Sequence, residues 1–394
     1  MDNGHSVWAA RADAAAAAVD TLYGHRLLGL PGTWIAAVAH PAPAARWPWS
    51  EWHYWWQAQY LDVLVDAAAR CGADTGTAPA PGLGRIRALL RTIRLRNFAR
   101  FRNGYFDDMA WLALAAGRAG ALARGEAGPG FRGARRAHAV LGRRLAAGHS
   151  ERLGGGIYWS TARDYKNTPA NGPAALYFAR AGSTATARSL VDWLRTELFD
   201  PVQGLYLDGV HPVGEDPLGG KHDGTGGGQE WGREVERTIY SYNQGPVLGA
   251  LLELGGPAYL GQAAELVGAI ARELTVDGGP GAGRPLVLHG AGDGGLFTGI
   301  LLRYLALAAI HPQLPPGTRK TAAELVLDTA LALWAARRPE PFLAFPQDTG
   351  APAADSFAQA DAVGLSSQLQ AWMAFEAAAA VAVDSAADSV ATGK

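Results

Sequence analysis

The segment Asn103-Gly104-Tyr105-Phe106-Asp107-Asp108-Met109-Ala110-Trp111 sets two adjacent carboxylates at the mouth of an apolar, helix-forming stretch. Aromatic residues flank the pair on both sides, and only 18% of the chain is charged. Carboxylates crowded together in apolar surroundings are driven to different proton affinities, which separates an acid role from a base or nucleophile role. The plain structural alternative makes Asp107 a helix N-cap and puts Asp108 in the first turn, where the helix dipole favours anions. A cap needs no aromatic walls, however, and Tyr105, Phe106 and Trp111 supply the kind of face that holds the apolar side of a sugar ring.

Other residues with matching chemistry recur along the chain. Trp47, Trp49, Trp52, Tyr54, Trp55, Trp56 and Gln57 form a dense aromatic patch. Lys166, Asn167 and Asn171 precede or open another apolar stretch, and Tyr240-Ser241-Tyr242-Asn243-Gln244-Gly245 opens a third. Asp208 sits in the strand-like run from Leu205 to Val210. Aromatic platforms, amide side chains and carboxylates together can stack on a sugar and hydrogen-bond its hydroxyls. Core packing is the competing role for the tryptophans, Trp111, Trp193 and Trp334 above all, and helix capping for Asn243 and Gln244.

Composition narrows the alternatives. With 35 basic and 36 acidic residues the formal net charge is −1, and no basic stripe suits a nucleic acid. The arginines between Arg85 and Arg102 spread around a helix and read as a solvated outer face. Cys71 is the only cysteine, which rules out an intrachain disulfide and reads as a buried structural thiol. The start Met1-Asp2-Asn3-Gly4-His5 lacks a basic and then apolar leader, so a cytoplasmic protein is expected. The apolar run Ala14–Val19 is too short to cross a bilayer, and no membrane association is expected.

No metal or other cofactor is expected either. Diphosphate-binding Asp-Asp sites need a further carboxylate one turn on, whereas Met109, Ala110, Trp111 and Leu112 follow this pair. The histidines lack paired zinc-ligand spacing. Gly224-Thr225-Gly226-Gly227-Gly228 is not followed by the Gly-Lys-Ser/Thr of a phosphate loop, and no Gly-x-Ser-x-Gly elbow occurs.

The elements that must position these residues are nearly all helical. Helices are predicted over about 8–23, 53–71, 85–100, 107–119, 132–147, 171–181, 183–199, 241–254, 258–274, 297–311, 318–337 and 365–383. Alternate segments, beginning with the second, are apolar nearly all round and so buried; their partners carry charge on one side. Six repeats of outer then inner helix describe an all-α (α/α)6 toroid of six helical hairpins, a single domain over 1–394 with about the last ten residues disordered. Short strand character is predicted for Gly154–Trp159 and Leu205–Val210, and a mobile Gly-rich loop for 213–232. Loops before inner helices emerge at one end of such a ring, which is where the site belongs.

The chain resembles glycoside hydrolase family 76, the endo-α-1,6-mannanases. The resemblance rests on Trp52-His53-Tyr54-Trp55-Trp56-Gln57-Ala58, on Tyr105 to Trp111, and on Gly155-Gly156-Ile157-Tyr158-Trp159. It continues through Lys166-Asn167-Thr168-Pro169-Ala170-Asn171-Gly172, Tyr242-Asn243-Gln244-Gly245 and Leu296 to Leu305, in family order from about 50 to 370. It implies a toroid and retaining chemistry on a mannan or manno-oligosaccharide, with Asp107 as nucleophile and Asp108 as acid/base. Trp52, Trp55, Trp56, Gln57, Tyr105, Asn167, Asn171, Asp208, Tyr242, Asn243 and Gln244 are then the candidate substrate-binding residues. One departure is Phe297-Thr298-Gly299, where family members often carry lysine in the middle. Retaining hydrolysis wants carboxyl groups about 5–5.5 Å apart, a separation that neighbours with Cα atoms ~3.8 Å apart can reach. A transglycosidase or a non-catalytic glycan-binding toroid would keep the same aromatic cleft.

Overall fold

In the computed structural model the described residues are 3–42, 50–75, 82–123, 129–213, 232–279, 283–357 and 362–391. The helices are α1 Asn3–Leu22, α2 Tyr54–Thr75, α3 Leu83–Arg96, α4 Phe106–Leu122, α5 Pro129–Ala147, α6 Thr168–Arg180 and α7 Thr184–Glu197. Then follow α8 Ser241–Leu254, α9 Gly256–Glu273, α10 Gly294–Ala309, α11 Pro316–Ala335, the single turn α12 Ala353–Ser356, and α13 Leu365–Ala391. Helices α2, α4, α6, α8, α10 and α13 pack side by side in that order, and α13 returns to α2, closing an (α/α) toroid.

Burial follows the apolar pattern. In α10 every residue from Gly295 to Ala306 is buried, as an inner helix walled on all sides requires. Outer α11 buries Ala322, Leu325, Val326, Thr329, Ala330 and Leu333, one stripe at helical spacing. The inner helices approach closely. A Cβ at Gly299 would stand 2.8 Å from the Gln370 Cα, so a larger residue there would push α10 off α13.

The hairpins close in the opposite sense to the predicted one. Each outer helix packs on the inner helix before it, α3 on α2, α5 on α4, and so on to α11 on α10. Helix α1 packs on α13, where Trp8 stacks on Phe375 at 6.4 Å. Arg70 of α2 joins this seam by bonding Glu376 of α13 and Asp13 of α1. The C-terminal stretch expected to be unstructured is helical as far as Ala391.

Segments before inner helices are stapled to them by side-chain amides. Gln57 on α2 pairs with both backbone groups of Ala36, Asn171 on α6 with those of Ile157, and Gln244 on α8 with those of Tyr206. Gln368 on α13 does the same for Phe345. An amide carries one acceptor and one donor group, so it can satisfy a buried peptide unit as a neighbouring strand would. The predicted strand at 205–210 is two pieces: Leu205–Tyr206, and Gly209–Val213 paired with Gly232–Glu236. The interior of the Gly-rich segment, 214–231, lies outside the described residues.

Candidate active site

At the end of the ring where the inner helices begin, a cavity of about 210 Å³ opens between their first turns. It is lined by Trp55, Asp107, Trp111, Trp159, Tyr165, Asn167, Asp208, Tyr242, Asp293 and Phe297. Tyr105 occupies the N-cap position of α4 without a side-chain cap bond, so neither aspartate is spent on capping in the way the simpler alternative required.

The two aspartates face different partners because successive helical residues are rotated by about 100°. Asp107 accepts hydrogen bonds from the Trp159 indole N–H at 2.9 Å and from the Asp108 backbone N–H at 2.8 Å. Asp108 accepts one from the Asn103 amide. Burial raises the Asp107 pKa to about 6, held in check by its hydrogen bonds. Burial also pushes Asp108 well above the usual carboxylate range, and the Asp107 charge pushes it further. The first carboxyl therefore gives up its proton more readily than the second.

A third carboxylate is fixed across the cavity. Asp208 accepts from Tyr165 Oη at 2.7 Å and from Asn243 Nδ2 at 3.0 Å. Apolar walls come from Tyr242 and Phe297, stacked at 4.0 Å, with Trp55 6.5 Å from each. The Trp159 backbone ties this wall to α4, accepting from the Phe106 N–H and donating to the Tyr165 carbonyl, both at 2.7 Å. Buried Lys166 holds the preceding loop by donating to the carbonyls of Ser150, Arg152 and Gly155.

Of the sequence-derived candidates, Asp107, Trp55, Asn167, Asp208 and Tyr242 line the cavity directly. Asp108 lies beside it, and Asn243 stands behind Asp208 as its hydrogen-bond donor. Gln57, Asn171 and Gln244 do not reach it, because their amide groups are consumed by the backbone staples. Trp52 lines a separate cavity near the N-terminal strands, and Trp56 is buried with its N–H on Asp293. Tyr105 is 45% exposed and stands against Trp159 at 5.0 Å, forming an outer rim. Cys71 is only half-buried on α2.

The lining residues not assigned as substrate-binding from sequence are Trp159, Tyr165, Asp293 and Phe297, together with Trp111, which was expected in the core. All lie in segments that lead into or open an inner helix, and that position was the available signal. A larger cavity, about 350 Å³, lies towards the C-terminal ends of the inner helices. Its acids are already neutralised. Burial pushes Asp66 up, but Arg118 and Arg303 outweigh it and hold Asp66 low, and the other acids lining that cavity, Asp62 and Glu376, are paired with arginines as well. Among the described residues no group of three or more His, Cys, Asp or Glu side chains could hold a metal ion. No described helix is long and apolar enough to cross a membrane.

Comparison with known proteins defines the class. The sequence profile of glycosyl hydrolase family 76 matches residues 6–387. The chain belongs to that family, and its carboxylate-lined toroid is a glycoside hydrolase framework. It is similar to an α-1,6-mannanase of Salegentibacter sp. HEL1_6, at 29% identity over 95% of this chain and 99% of that one, with a TM-score of 0.75. That structure is an inactive variant with two consecutive aspartates replaced by alanine, in complex with α-1,6-mannotetrose. The fold is shared with a family 76 mannosidase from Bacteroides thetaiotaomicron, at 16% identity over 96% and 100% of the chains and a TM-score of 0.73. It is shared too with Dfg5 from Chaetomium thermophilum, at 16% identity over 96% and 92% and a TM-score of 0.68. No match was found among proteins of curated function.

Proposed function

We propose that this glycoside hydrolase cleaves α-1,6-mannosidic linkages with retention of anomeric configuration. The observation that carries the reading is the unequal setting of the two aspartates. Asp107, ionised and held by two donors, attacks the anomeric carbon. As that bond forms, the bond to the glycosidic oxygen breaks and Asp108 delivers its proton to the departing oxygen. Asp108, now a carboxylate, takes a proton from water; the water oxygen displaces Asp107 and both carboxyl groups return to their starting states.

The remaining residues take supporting roles. Tyr242, Phe297 and Trp55 give the sugar an apolar face to rest on. Asp208, pinned by Tyr165 and Asn243, accepts a hydroxyl of the sugar held over Asp107. Mannan as the substrate rests on the similarity to the α-1,6-mannanase. The test is incubation with linkage-defined manno-oligosaccharides, following the anomer first formed by NMR. Initial β-product, or cleavage of other linkages in preference to α-1,6, would overturn the proposal. Elongated products would instead identify a transglycosidase using the same glycosyl-enzyme.

A further inference from the structure

Asp293 carries a carboxylate into the cavity that the dyad and Asp208 do not account for. It occupies the N-cap position of α10 but makes no side-chain cap bond. Instead its Oδ1 accepts from the Trp56 indole N–H at 2.8 Å. The turn leading to it is tight: a Cβ at Gly294 would lie 2.1 Å from the His289 carbonyl oxygen, so this corner tolerates only glycine without moving. Phe297 follows four positions later on the same helix face and also lines the cavity, so one face of α10 presents an acceptor beside an aromatic ring.

The carboxylates fall into two pairs. Asp107 is held by Trp159, whose backbone N–H donates to Tyr165, and Tyr165 Oη in turn donates to Asp208. Asp108 is held by Asn103, two residues after Phe101, whose carbonyl accepts from Tyr54 of α2, and Asp293 is held by Trp56 of α2. Asp107 with Asp208 belongs to the side built by α4, α6 and α8. Asp108, the next residue of α4, instead faces the side that α2 builds with Asp293 at the head of α10. In the proposed mechanism Asp107 marks the sugar under attack and Asp108 marks the oxygen that departs. The side of Asp293 is therefore the side of the leaving group. Next to it, half-exposed His53 stacks on Trp56 at 4.3 Å and pairs with Glu51, continuing this wall towards the surface.

We propose that Asp293 is the leaving-group residue of this site, accepting a hydroxyl of the departing sugar. The inference rests on the glycosidase reading above. Asp108 is faced by Asp107 on its own helix, by Asn103 before that helix, by Tyr54 on α2 and by Asp293 at the head of α10. Of these, Asp107 and Asp293 favour the proton, and only Asp293 can be neutralised without removing the nucleophile.

The experiment compares wild type with Asp293→Asn on an α-1,6-manno-oligosaccharide and on an aryl α-mannoside with an activated leaving group. The aryl group needs neither a proton from Asp108 nor a sugar hydroxyl contact. The expected loss in kcat/KM is on the order of 10–100-fold on the oligosaccharide and less than about threefold on the aryl mannoside. The alkaline limb of the oligosaccharide pH profile should move to lower pH, because Asp108 then gives up its proton more readily. Trp56→Phe keeps the charge but frees the carboxylate, so it should lose oligosaccharide turnover with the alkaline limb unmoved. Equal losses on both substrates with an unchanged limb, or no loss on either, would overturn the assignment. Wild-type protein inert on both substrates would instead sink the underlying reaction.

Discussion

Replacing Asp107 by Asn should make the protein more stable as pH rises, even as it removes activity. Unfolded, Asp107 titrates at the ordinary aspartate value of 3.8; folded, burial moves it to about 6. Between those values the folded state holds a proton that the unfolded state has released, so wild-type stability falls as pH increases through the window. At 1.36 kcal/mol per pH unit the full penalty is about 3 kcal/mol, and partial exposure of the side chain reduces it to roughly 1.5 kcal/mol. Asparagine does not titrate and escapes this term. Its amide nitrogen must face either the Trp159 N–H or the Asp108 N–H, which costs about 1 kcal/mol independently of pH. Burial pushes Asp108 up in both proteins, and the variant lacks only the further push of the Asp107 charge.

The informative quantity is therefore the change in the Tm difference with pH. For 394 residues, unfolding entropy makes 1 kcal/mol worth about 1 °C. Calorimetric scans at intervals between about pH 4 and pH 7 should show the variant gaining about 2 °C on the wild type. The gain should level off above about pH 7, where Asp107 is ionised in the folded state as well. A difference that stays constant with pH would mean that Asp107 is not a desolvated carboxylate, and the argument that separates nucleophile from acid would fail with it.

Asp107→Asn and Asp108→Asn should each lower turnover on the order of 10³-fold or more, measured with an α-1,6-manno-oligosaccharide. Retention of a tenth of wild-type rate in either would remove that residue from the chemistry. The pH–rate profile of the wild type should rise through about 6 as Asp107 ionises and fall on the alkaline side as Asp108 loses its proton; a profile flat through pH 6 contradicts the nucleophile assignment. Asn243→Ala and Gln244→Ala should separate cleanly. The first should lower kcat/KM by about 1–3 kcal/mol by freeing Asp208. The second should lower stability by about 2–4 kcal/mol, because it leaves the buried N–H and C=O of Tyr206 unpaired. Unchanged Tm in Gln244→Ala would argue against the staple.

The ring itself was legible because period and burial coincide: inner helices are apolar all round, outer ones along a single stripe. The predicted segments match the long helices to within a few residues, except that α1 starts five residues earlier and α13 runs eight residues further. The dyad was legible for a related reason, since two charges opening an apolar helix have no structural use that demands both. Amide side chains gave no such contrast. Asn243 and Gln244 are adjacent and chemically alike, yet about 100° of helical rotation sends one to Asp208 and the other to the Tyr206 backbone. Gln57 and Asn171 were misassigned for the same reason, because an amide that staples a strand and an amide that binds a hydroxyl are the same residue in sequence.

Asp293 shows how a small boundary error hides a functional group. The apolar pattern puts the start of α10 near Phe297, but the helix begins at Gly294. Glycines contribute nothing to periodicity, so the first turn was invisible and Asp293 fell into an apparent loop. Once the turn is counted as helix, Asp293 stands at the mouth of an inner helix, as Asp107 and Asp108 do on α4. The toroid brings every such position to one basin, so a polar residue at the start of an inner helix has two destinations: the cavity, or the backbone of the segment before it. Asp293 goes to the cavity because a carboxylate has no donor with which to complete a staple.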